Sequence, residues 1–118
     1  MAGYLEGLHH PQHALAPRVM FVAVENDSIG GYIAGHLTRR YGCDGELQWI
    51  YVGASHRRRR VGSELVRLLA GWFASQNASR VCVNVAPSNL SARNFYAWHG
   101  AEILNEQWMV WSEIKAAV

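Results

Sequence analysis

Lysine is almost missing from this 118-residue chain: ten of its eleven cations are arginine, and Lys115 is the exception. Cysteine is equally sparse. Cys43 and Cys82 lie 39 positions apart with no CxxC spacing, which excludes a disulfide framework and a cysteine metal site and reads as two reduced thiols. No long apolar run occurs; the strongest, VMFVAV over Val19 to Val24, is far too short to cross a bilayer. The opening MAGYLEGLHH has neither a basic start nor an apolar stretch, so no secretory leader and a cytoplasmic location are expected. Charge of one sign is also lacking: a net charge of +2 does not describe a protein that coats nucleic acid. GxxxxGK[ST] and GxGxxG are both absent, which removes motif support for ATPase and dinucleotide-binding readings. His9, His10 and His13 have no cysteine or carboxylate cluster beside them, so no metal is expected.

What the chain does have is apolar residues in half its positions, enough for one core and a single domain over residues 1–118. Residues 3–17 suggest a short helix and a loop. RVMFVAVENDSIGGYIAGHL reads as two strands joined through Asn-Asp-Ser and Gly30-Gly31, a hairpin. ELQWIYV alternates, with Leu47, Trp49 and Tyr51 on one face and Glu46, Gln48, Ile50 and Val52 on the other. From Val61, apolar residues recur at Leu65, Leu68, Leu69, Trp72 and Phe73 with helical spacing. RVCVNVAP is a strand. Ser88 to His99 is a second helix, capped by Ser88 or Asn89 and stopped at Gly100, and AEIL and QWMVW offer two more strands. The middle is thus a βαβ unit with parallel strands, whose ligand end is the turn after the first strand.

That turn holds four consecutive arginines, Arg57, Arg58, Arg59 and Arg60, at the positive end of the helix that follows. Cations are disfavoured there by up to about 1 kcal/mol each. The placement makes sense if a phosphate or pyrophosphate completes the site, because guanidinium groups and unpaired helix amides then address the same oxygens.

WIYVGASHRRRRVGSELV resembles the acetyl-CoA motif of the GNAT N-acetyltransferases, a strand followed by [Q/R]-x-x-G-x-[G/A] and a helix, with Arg57 first and Gly62 last. Arg60 departs from it, standing where the family has its first glycine. APSNLSARNFYAWHGAE resembles the second signature, N-x-x-A-x-x-F-Y-x-x-x-G, matched by Asn89, Ala92, Phe95, Tyr96 and Gly100. The resemblance, which runs from about Arg18 to the C-terminus, implies a mixed, mostly antiparallel α/β sheet with a central parallel pair and flanking helices. It implies an acyltransferase that moves acetyl from acetyl-CoA to a primary amine by direct attack, without a metal. The amides from Arg58 through Arg59, Arg60, Val61 and Gly62 to Ser63 would hold the CoA pyrophosphate. The backbone of Ile50, Tyr51 and Val52 would pair with the pantetheine arm, Asn89 would hold that arm, and Tyr96 would act as the general acid at the thioester sulfur. Glu46 takes the place of the base glutamate some members carry, with His36 or a water relay as competitors. Trp49 is expected in the core or along an acceptor groove.

The family's first strand and helix are largely missing from this reading. Residues 19–25 would then be an open apolar edge, covered by a second copy in a homodimer or by an N-terminal segment folded over it. The alternative function is a non-catalytic acyl-CoA-binding module of the same fold. No nucleic-acid or membrane partner is expected.

Overall fold

The hairpin that begins the middle of the chain turns on two residues, Asn26 and Asp27, both with left-handed backbone (φ 51° and 63°). Such a turn twists with its flanking strands, and Asn and Asp tolerate that conformation better than most residues. The computed structural model of the chain describes residues 4–9, 17–53 and 60–118. In chain order its elements are β1 (Tyr4–His9), β2 (Arg18–Glu25), β3 (Ser28–Leu37), β4 (Gly45–Val52), α1 (Val61–Ser75), β5 (Val81–Asn84), α2 (Leu90–Trp98), β6 (Glu102–Ile103) and β7 (Trp108–Trp111). Among the described residues the strands form one sheet in the order β1-β2-β3-β4-β5-β7-β6. Only β4 and β5 pair in parallel, joined by α1 as expected for a βαβ unit. Gly30 and Gly31 fall inside β3 rather than in the turn.

Two expectations are corrected here. Residues 4–9 form a strand rather than a helix, so the first strand is present. It pairs antiparallel with β2 along Tyr4↔Val24 to His9↔Val19. The β2 edge is therefore covered by an N-terminal segment, which removes the basis for a homodimer through residues 19–25. The reason is the backbone: pairing satisfies the donors and acceptors that an open edge would leave to solvent or to another chain. Eight residues, 10–17, connect β1 to β2.

α1 packs on β2, β3 and β4. Val61, Leu65, Val66, Leu69, Ala70 and Phe73 meet Val19, Ala23, Ile33 and Leu47 in the main core. This is the apolar stripe expected from the spacing. A smaller cluster contains Cys43, Cys82, Trp108 and Val110. Both thiols are free, and burial, together with neighbouring Cys43 and Glu46, raises the pKa of Cys82 far above that of an ordinary thiol. The starts of β4 and β5 are tied by Asp44, whose carboxylate accepts from the amides of Ser79 at 2.9 Å and Arg80 at 3.0 Å. Those bonds lower its pKa below 3.8, so the stability they contribute is complete above that value and lost as pH falls through the folded-state value.

The alternation expected in β4 breaks at one residue. Ala34 pairs with Trp49, but Gly35 pairs with Leu47, leaving Gln48 as a bulge. A bulge inserts one residue and exchanges the two faces beyond it. The face toward α1 is thus Leu47, Ile50 and Val52, and the opposite face is Glu46, Trp49 and Tyr51. Trp49 is 58% exposed rather than in the core. The contacts follow this register: Tyr51 stacks on its cross-strand partner Tyr32 with centroids 5.6 Å apart, and Glu46 faces His36.

β3 approaches β4 closely only because Gly31 has no side chain; a Cβ there would lie 2.5 Å from the Tyr51 carbonyl oxygen. Backbone cannot yield as a side-chain tip can. Gly31→Ala is expected to destabilise the fold by about 2–3 kcal/mol, read as a lower denaturation midpoint at unchanged m-value.

Candidate active site

The parallel pairing of β4 with β5 spans Gly45↔Val81, Glu46↔Cys82 and Leu47↔Val83, and stops at the Gln48 bulge. Past that point β4 runs on as Ile50, Tyr51 and Val52 without β5 beside it. The gap opens into a cleft of about 620 Å³, floored by these three residues. One wall is the start of α1 (Arg60, Gly62, Ser63); the other is α2, through Asn89, Ala92, Phe95 and Tyr96.

The α1 wall is built from backbone. Its first i→i−4 bond runs from Glu64 N–H to the Arg60 carbonyl at 2.9 Å. The N–H groups of Val61, Gly62 and Ser63 therefore precede the helical ladder and have no intrahelical acceptor. The Val61 side chain is fully buried, so this residue offers the site only its amide. Gly62 suits this packing: a Cβ would lie 3.1 Å and 3.2 Å from the Phe95 ring, tighter than ordinary van der Waals contact. Its lack of a side chain lets α2 close on the first turn of α1.

Arg60 precedes the helix in left-handed backbone (φ 61°, ψ 15°) and is exposed. This is the conformation for which glycine is best suited, and it explains why the motif has glycine at the position this chain fills with arginine. The strain is about 1 kcal/mol or somewhat more. Arg57, Arg58 and Arg59 lie outside the described residues.

The α2 wall holds the pair expected to share one helix face. Asn89 caps α2, its Oδ1 accepting from the Ala92 amide at 3.1 Å. Two turns on, Tyr96 is 6% exposed and packs edge-on against Phe95 and Trp111 with centroids 5.7 Å and 5.8 Å away. Burial pushes its phenol up to about 12. Arg93 fixes this helix in place by donating to the carbonyls of Val85 at 3.2 Å, Ala86 at 3.2 Å and Glu106 at 2.6 Å. A single arginine within a helix carries no pattern that would have singled it out.

Glu46 does not line the cleft. It is buried before the bulge, four residues short of Ile50, which is about 13 Å of strand. Its Oε1 lies 3.3 Å from Arg40 Nε, an ion pair without hydrogen-bond geometry, and 3.7 Å from His36 Nε2. His36 Nδ1 donates to the Leu37 carbonyl at 2.8 Å, so Nε2 faces the carboxylate. Arg40 also lies 5.0 Å over the Trp108 ring. Among the described residues no group of histidine, cysteine or carboxylate side chains is arranged to hold a metal; His10 and His13 lie outside them.

The site is thus a cleft at a splayed parallel pair, walled on one side by the amides of a helix start. The family model for the acetyltransferase (GNAT) family matches residues 2–101, and the chain belongs to that family. No curated protein sequence matches it. Among solved structures, PaiA N-acetyltransferase from Thermoplasma acidophilum, in complex with coenzyme A, superimposes with a TM-score of 0.71 at 14% identity over 87% of this chain and 64% of its own. Ard1 from Thermoplasma volcanium gives 0.66 at 22% identity over 77% and 66%. Nourseothricin acetyltransferase gives 0.73 at 18% identity over 80% and 64%. The chain thus spans about two thirds of the length of these proteins, and at such identities the likeness establishes the fold.

If Arg60 is held left-handed by its place in the turn, Arg60→Gly should be at least as stable as the parent, whereas the β-branched Arg60→Val should fall below Arg60→Gly by about 2 kcal/mol. Urea denaturation of the three proteins measures this.

Proposed function

We propose that the cleft binds acetyl-CoA and that the chain transfers its acetyl group to a primary amine by direct attack within a ternary complex. The observation that carries this is the convergence of three unlike features on one cleft: the amides of Val61, Gly62 and Ser63 ahead of the helical ladder, the stretch of β4 beyond its pairing with β5, and the Tyr96 ring. Each suits one part of the molecule. The amides and the helix dipole suit a diphosphate, and Gly62 keeps that turn free of side-chain bulk. Ile50, Tyr51 and Val52 offer strand backbone to the amide-bearing pantetheine arm. Asn89 spends its oxygen on the helix cap and has its Nδ2 hydrogens to donate to that arm. That PaiA was solved in complex with coenzyme A supports the same reading.

In the reaction the amine nitrogen forms a bond to the thioester carbonyl carbon, and the carbon–sulfur bond breaks. The departing sulfur takes a proton from the Tyr96 hydroxyl, and the ammonium proton leaves through water. Glu46, too far along β4 to touch the amine and held by Arg40 and His36, takes no part in this step. The Tyr96 proton is regained from solvent, so the products are an amide and a free thiol. Tyr96 is protonated throughout the working range because burial raises its phenol to about 12. Two buried free thiols suit a reducing compartment, and we place the protein in the cytoplasm. No described helix is long and apolar enough to cross a membrane.

Thiol release from acetyl-CoA over a panel of primary amines tests the transfer. Stabilisation by CoA with no thiol release from any amine would instead establish the binding-module alternative. Tyr96→Phe is expected to lower kcat about a hundredfold while keeping the rise in Tm produced by CoA. The sign of the linkage is also set. A phenol raised from 10 to about 12 costs the fold nothing below pH 10 and destabilises it progressively as pH rises from 10 through 12. Tyr96→Phe should lose that alkaline component, seen in Tm measured between pH 9 and pH 12, a range in which parent and variant are expected to diverge by about 1–3 kcal/mol.

A further inference from the structure

Beside the helix amides, the α1 wall carries a hydroxyl whose direction another residue controls. Ser63 Oγ lies 3.0 Å from Nε2 of His99, the residue that closes α2. We propose that His99 is a positioning residue that decides whether Ser63 offers a proton or a lone pair to the cleft, and so how tightly α1 holds a diphosphate. This rests on the function proposed above.

A serine has one hydroxyl proton. In the neutral ring with its proton on Nδ1, Nε2 accepts the hydroxyl's hydrogen bond, and Oγ turns lone pairs toward the cleft, where phosphate oxygens are repelled. If Nε2 carries a proton, it donates to Oγ, and the hydroxyl proton is released toward the anion. Protonation of Nε2 and occupation of the cleft by a diphosphate therefore favour each other, and the coupling is reciprocal.

The surroundings hold His99 in place without supplying an anion. Its backbone N–H reaches the carbonyls of Phe95 at 3.3 Å and Tyr96 at 3.1 Å, and its own carbonyl accepts from Trp111 Nε1 at 2.9 Å. The ring packs edge-on against Phe95 at 4.9 Å. Among the described charged groups, Arg67 of α1 acts on it unfavourably, and Glu64 of α1 is engaged with Arg67 at 3.3 Å. Tyr96 of α2 is neutral. Burial, then Arg67, lowers the imidazole below 6.5, so with the cleft empty the ring is neutral at pH 7. A diphosphate beside Ser63 supplies the negative charge that this environment lacks.

The test is calorimetric titration of the full chain with CoA from pH 5.5 to 8.5, in the parent, His99→Gln, His99→Phe and Ser63→Ala. Any titration of CoA itself is common to all four and cancels. Between pH 8.5 and pH 5.5 the parent should gain about tenfold in affinity beyond any gain shown by His99→Phe and Ser63→Ala, which lack the switch. His99→Gln, whose amide can donate to Oγ at every pH, should bind with no excess pH dependence. His99→Phe should bind about tenfold more weakly than His99→Gln. The unmutated protein gives an independent reading: NMR titration of the His99 ring should move up by about one pH unit when CoA is added. Equal pH dependence in the parent and His99→Gln, or a His99 titration indifferent to CoA, overturns this inference and leaves the proposed function standing. Failure of the parent to bind CoA at any pH overturns both.

Discussion

The cleft exists because one residue, Gln48, is extra. Before it, β4 and β5 pair in parallel over three residue pairs; beyond it, β4 turns its faces over and β5 goes its own way. A parallel sheet with continuous pairing would fill this space with hydrogen bonds and leave no strand backbone for a ligand. Past the bulge Ile50 to Val52 run on without β5 beside them, and the chirality of the βαβ crossover brings the start of α1 to the same end of the sheet. The cleft and the fold thus share one defect in one ladder.

Around that defect the two helices are locked to each other rather than only to the sheet. Gly62 admits the Phe95 ring, Ser63 meets His99, and Arg93 fastens the α2 start to the carbonyls that follow β5 and precede β7. These contacts place the α1 amides and the Tyr96 phenol on facing walls. The same packing that holds Tyr96 also keeps it protonated, since a phenolate would lose its hydration there. The backbone strain at Arg60 has a comparable origin: the turn into α1 needs a left-handed residue whatever side chain occupies it.

Much of this was legible in the sequence. The Val61 to Phe73 stripe, the Asn89 cap, the Gly100 stop (φ 101°) and the Asn-Asp turn are local rules, decided within a few residues of each position. The two signature motifs likewise placed Ile50 to Val52, Gly62, Ser63, Asn89 and Tyr96, all of which the fold brings to one cleft. What was illegible depends on partners distant in the chain. ELQWIYV alternates polar and apolar only as far as Trp49 and ends in four apolar residues, and nothing within it says that Gln48 will be skipped; that depends on how β3 lies beside it. Hence Trp49, expected in the core or along an acceptor groove, is not in the core. Tyr4 to His9 becomes a strand only because β2 offers an edge, and Glu46 leaves the expected site because the bulge separates its end of β4 from the other.

By itself, then, the amino-acid order determined the helices, the hairpin, the βαβ succession and the residues whose chemistry suits a diphosphate and a thioester, because each depends on periodicity, capping or side-chain type. The tertiary structure alone decided which face each β4 residue takes, that Glu46 is spent on Arg40 and His36, and that Ser63 has His99 as its partner 36 positions away. Those facts arise from strand register and helix docking, which join residues whose separation along the chain carries no periodic trace.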